Sequence, residues 1–233
     1  MAQTITKVFV VNASKRVTNH DIDLATQAVN HQVRDHFAPL WGIKAPAVVF
    51  TTATPTPAKG TAVITVYDTP DVDGALGYHT EDSGVVYGKV FAGVILDNGG
   101  TAHTGSVSIS ACLSHEVLET LGDPRVQLWA SNDHGAQIAY EVCDPVQGDS
   151  YDIVVHGTSV AVSDFVTPAW FDDQQAGEQL NYLNTVTKPF TLRKDGYVVR
   201  MVEGRVTNVF GEAMPAWQKD LKRKHGRISR RAA

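Results

Sequence analysis

An apolar helical pattern between Ser108 and Gly122 is broken by His115, Glu116 and Glu119, and this interruption constrains the chain more than any other feature. The segment SVSISACLSHEVLETLGDP predicts a helix over about 108–122, with Gly122 as a left-handed C-cap and Pro124 preventing continuation. His115 and Glu119 stand one turn apart and share a face with Ala111, Cys112, Leu118 and Gly122. Carboxylates on an otherwise apolar face need a partner, and a cation is the simplest one. An imidazole and a carboxylate at that spacing can hold one zinc ion. Glu116 lies about 100° round the helix, within reach of water beside the metal as general base. The competing reading is a surface helix in which His115 and Glu119 form an ordinary i,i+4 pair.

Around this helix the pattern is mixed. Ile5, Val8, Phe9, Val10 and Val11 predict an opening strand. Ile22, Ala25, Val29, Val33 and Phe37 recur at helical spacing and predict a helix from Asn19 to Phe37, ended by Pro39. Thr18, Asn19, Asp21 and Asp23 supply capping and dipole chemistry at its start. β-Branched runs over 47–51 and 61–68 predict strands, and 84–96 predicts one or two more. Beyond the central helix, 138–142, 151–155, 159–162, 190–192 and 197–202 predict short strands. The fold class is α+β: one domain over 1–217, with an irregular β-rich elaboration over about 136–217.

Several classes are excluded. No apolar run approaches the roughly 18 residues of a membrane helix, and the opening residues lack the pattern of a secretory signal. Cys112 and Cys143 make no disulfide framework and fit a reduced, cytoplasmic setting, with Cys112 read as a small core residue. Gly99-Gly100 lacks phosphate-loop spacing. His79, in the polar stretch 77–82, could approach the site but reads first as an exposed loop histidine, and Trp129, Trp170, Phe171 and Trp217 could line a groove but read first as packing residues. Charge is polarised along the chain. Residues 218–233 hold seven Lys/Arg against Asp220, a charge of +6, which leaves −11 on the rest of a chain of net charge −5. The tail has no aromatic residue to stack on bases. It is therefore expected to seek an acidic protein surface or another copy of the chain rather than nucleic acid.

His115-Glu116-Val117-Leu118-Glu119 matches the H-E-x-x-H metal signature with glutamate as second ligand. Gly122 is also in register with the longer metzincin pattern, but Arg125 stands where the third ligand belongs and cannot serve. Asp123 is adjacent to that position. Glu141, Asp144 and, more weakly, His134 follow downstream as further third-ligand candidates. Together, ACLSHEVLETLGDP, AYEVCDPVQGDSYD and VSDFVTPAWFD resemble a group of zincin-like proteins with an H-E-x-x-E-x-x-x-D-P core. The resemblance covers about 108–172. It implies a zincin-like domain with a mixed sheet and a central metal-site helix, with zinc as cofactor. It further implies His115, Glu119, Glu141, Asp144 and Asp123 as candidate ligands, and Glu116 as the catalytic base. Its phage-protein branch implies a chain in the host cytoplasm, incorporated in a virion. The expected activity is hydrolysis of peptide bonds in a peptide or protein substrate through a metal-activated water, with a strand in 84–96 pairing with the substrate. The alternative is a catalytically inactive structural virion protein that retains the scaffold.

Overall fold

The computed structural model describes residues 4–71 and 75–219. β1 (Lys7–Asn12) leads into α1 (Asn19–His31). A reciprocal capping box starts α1: Thr18 Oγ1 accepts from the Asp21 N–H at 3.1 Å, and Asp21 Oδ2 accepts from the Thr18 N–H at 2.9 Å. Contrary to expectation, the helical path does not end at Pro39. It runs through a π-helical stretch, Gln32–Phe37, and finishes as α2 (Ala38–Trp41), where Gly42 at φ 60° provides a left-handed cap. Proline is tolerated there because it falls in the first turn of α2, where its missing N–H is not required.

Next come β2 (Ala47–Thr51), β3 (Thr61–Tyr67), β4 (Gly77–Asp82), β5 (Val85–Phe91), α3 (Ala92–Asp97) and α4 (Ile109–Gly122). The first five strands form one mixed sheet in the order β2-β1-β3-β5-β4, parallel except for β4, which runs antiparallel to β5 at the edge. Two expectations are corrected here. The stretch 84–96 is one strand followed by a short helix, and 77–82 is a strand rather than a loop. Ser83 and Gly84, at φ 53° and 83°, join β4 to β5 as a two-residue hairpin loop. The strand within 84–96 is therefore interior, and the edge belongs to β4.

The carboxyl-terminal half contains β6 (Trp129–Ser131), β7 (Gln137–Ala139), β8 (Ser150–Val155), β9 (Thr158–Ser163), β10 (Tyr197–Val202) and β11 (Arg205–Phe210). They form a four-stranded sheet, β11-β10-β7-β6, and a β8-β9 hairpin. The expected strand at 190–192 is a turn: Pro189 cannot donate to a ladder, and Phe190 takes φ 54°. β11 has no counterpart in the sequence reading. Trp170 and Phe171 are buried as expected, and Trp129 is half-buried.

α4 packs against α1, β4, β5 and β9, so it lies between the large sheet and the second half of the chain. Val8, Val10, Val29, Ile64, Val86, Leu113 and Val117 belong to the same core. Among the described residues no helix is long and apolar enough to cross a membrane. The basic tail, apart from Gln218 and Lys219, lies outside the described residues.

Candidate metal centre

Local chemistry builds α4 first. Ser108 caps it, its Oγ accepting from the Ala111 N–H at 3.1 Å. Ile109, Leu113, Val117 and Leu118 turn into the core. Gly122 does not cap the helix in the left-handed region; it remains helical, and the C-cap is Asp123 at φ −138°. The glycine has a packing role instead. A Cβ there would stand 2.5 Å from Val142 Cγ1. The missing side chain lets the strand-to-turn segment around Val142 pass against the helix, and that segment carries Asp144 into a 3₁₀ turn, Asp144–Val146.

His115 Nε2 lies 3.0 Å from Glu119 Oε1 and 3.2 Å from Asp144 Oδ1. The Glu119 and Asp144 side chains are almost completely buried, whereas His115 keeps 12% of its side chain exposed. Burial alone would lower the pKa of His115, but the facing carboxylates of Glu119 and Asp144 outweigh it and push the value up to about 10. Without a metal, the imidazole is held as a cation between two carboxylates. The same three groups can hold a metal ion, offering one nitrogen and two oxygens that converge within 4.8 Å.

Glu116 projects beside them. His79, fully buried on β4, sets its Nδ1 3.7 Å from Glu116 Oε2, while its Nε2 lies 3.0 Å from the Asp123 carbonyl. A carbonyl only accepts, so Nε2 carries the donated proton. Gly77 makes room for the carboxylate: a Cβ there would come within 2.9 Å of Glu116 Oε1 and 3.0 Å of Cys112 Sγ. A cavity of about 120 Å³ reaches His115 and Glu116 and is also lined by Gly77, Cys112, Asp149 and Asp195.

Of the predicted ligands, the fold unites His115 and Glu119 with Asp144. Asp123 and Glu141 are buried but belong to neither group of converging ligand atoms. Asp123 is used structurally, its Oδ2 accepting from the Leu128 N–H at 2.9 Å. Arg125 and His134 are exposed. Cys112 is only half-buried and sits on the cavity wall, whereas Cys143 is fully buried, which pushes its thiol pKa up. His79, expected in a loop, lies on β4 and converges with Glu116 and Glu119 as a second group. The sequence signal for this strand is the Ser83-Gly84 turn, which makes 77–82 a hairpin partner of β5.

The donor set suits a cation on charge grounds. Glu116, Glu119 and Asp144 are each no more than 3% exposed, and no lysine or arginine is buried among the described residues. Two imidazoles can neutralise at most two of those three carboxylates. Compared with known proteins, the chain matches no family model, no curated protein and no solved structure.

Proposed function

We propose that the chain is a zinc-metallopeptidase-like protein, hydrolysing peptide bonds at the cavity floored by His115 and Glu116. One observation carries this reading: His115 converges with the buried Glu119 and Asp144 and itself lines the cavity, while Glu116, one residue along the helix, lines it too. A zinc ion held by His115, Glu119 and Asp144 would supply a Lewis acid and lower the pKa of water at the site. Glu116 Oε1, beside Gly77, takes the proton of the attacking water and passes it to the leaving amine. Leu76 and Gly77 line the cavity at the start of the edge strand β4, whose backbone groups can pair with an extended peptide. The mixed sheet and the central α4 are what a zincin-like scaffold requires. The phage-protein branch, the host cytoplasm and a docking role for residues 218–233 form part of the same proposal. They rest on the sequence resemblance and on the +6 tail against a −11 body.

A second reading has its own observation. The His115 imidazolium flanked by Glu119 and Asp144 is a closed ion cluster that needs no metal to be satisfied. On that reading the chain is an inactive scaffold protein of a virion. Elemental analysis, paired with a peptide-cleavage assay on wild type and Glu116→Gln, decides between them. Bound zinc with cleavage lost in the variant supports the peptidase; a metal-free, inert wild type leaves the scaffold.

A further inference from the structure

The metal proposal uses His115, Glu119 and Asp144, which leaves His79 and the second oxygen of Glu116 unused. We infer that His79, Glu116 and Glu119 form a second metal position, sharing the Glu119 carboxylate with the first. It rests on the first ion being held as proposed, and it takes a borderline divalent cation such as zinc or cobalt.

Two observations carry it. First, one ligand atom from each of His79, Glu116 and Glu119 lies within 4.8 Å of the others, all three residues are buried, and Glu119 belongs to both groups. Second, His79 is oriented as metal-bound histidines are. Its Nε2–H donates to the Asp123 carbonyl at 3.0 Å, which fixes the tautomer and presents Nδ1 to the carboxylates. A histidine placed only to pair with Glu116 would be expected closer than the 3.7 Å between Nδ1 and Oε2, a gap suited to two ligands of one ion.

The two roles of Glu116 are compatible because its oxygens are separated. Oε2 faces His79, and Oε1 faces Gly77 at the cavity wall. The second ion would thus fix the carboxylate that serves as base.

The test is a titration of the full-length, chelator-stripped chain with Zn²⁺ alone and with Co²⁺ alone. Two ions per chain are expected, with spin coupling between the two cobalt ions because they share a carboxylate. His79→Ala should bind one ion, or bind the second at least ~10-fold more weakly, with the His115 position retained. His79→Gln, which keeps the bulk and an amide donor, should do the same with the chelated protein unfolding at the wild-type temperature. The inference is overturned by a wild-type chain that binds one ion. It is equally overturned by a second ion that shows no coupling or survives His79→Gln. A one-ion chain would leave the proposed function standing, whereas a chain that binds no ion sinks both.

Discussion

The two halves of the molecule are held together by different means. In the amino-terminal half, Val8, Val10, Ile64, Val66 and Val86 are fully buried along six- and seven-residue strands, and the parallel register follows from which face is apolar. In the carboxyl-terminal half the strands divide between a four-stranded sheet and a separate hairpin, and polar side chains secure the loops. Asp164 accepts from the Phe165 N–H at 2.8 Å, the Leu183 N–H at 3.2 Å and Asn181 Nδ2 at 2.6 Å. Asn181 Oδ1 in turn accepts from the Thr185 and Val186 N–H groups, both at 2.9 Å. Burial raises the Asp164 pKa to about 6 against those donated hydrogen bonds. The first half tolerates apolar substitution of similar volume; the second depends on particular donors and acceptors. The candidate site sits on the seam. His115, Glu116 and Glu119 come from the helix of the first half, and Asp144 from a turn of the second.

The largest expected effect isolates chemistry from the seam. Glu116→Gln keeps the helix and its size but removes the proposed base, so the proposed peptide cleavage should fall by about 10²–10⁴-fold. The ion at His115 should persist, as read by elemental analysis. Wild-type turnover in this variant would refute the base assignment.

Glu119→Ala cuts the seam. It leaves His115 with Asp144 alone and removes a buried carboxylate that holds the cluster, for a loss of about 3–5 kcal/mol. Denaturant unfolding should show that loss, and the variant should bind no ion at either position. If Glu119→Ala is as stable as wild type, the two halves do not depend on this cluster.

The pH dependence follows from His115. Its metal-free pKa of about 10 lies above the ordinary 6.5. The cation therefore stabilises the metal-free fold fully below about pH 6.5, and this contribution is lost as pH rises through about 10. Metal must displace that proton. Apparent zinc affinity should rise close to tenfold per pH unit below the pKa, or about 100-fold from pH 7 to 9. A flat affinity in chelator-competition titrations would remove His115 from the ligand set.

Gly122→Ala tests the contact that brings the halves together. The added methyl must displace Val142, at a cost of about 1–3 kcal/mol, with weaker metal binding because Asp144 moves with that segment. Val142→Ala in the same chain should recover part of both. No recovery would mean that the close pass at Gly122 does not position Asp144.

Local rules made much of this molecule readable. Thr18 and Asp21 announce the start of α1, and the one-turn spacing of His115 and Glu119 places both on one face of α4 whatever packs around it. Long-range packing settled the rest. Asp123, Glu141 and Asp144 are equivalent as carboxylates in the sequence. Only the approach of Val142 to Gly122 selects Asp144 for the His115 cluster and leaves Asp123 to bond the Leu128 N–H. His79 is brought to the carboxylates by the pairing of β4 with β5, which turns it toward α4. Spacing along a chain specifies which side chains share a helix face, because one turn of backbone does that alone. Which distant side chain completes a buried site depends on how closely two surfaces can approach, and here the missing side chain of Gly122 sets that distance.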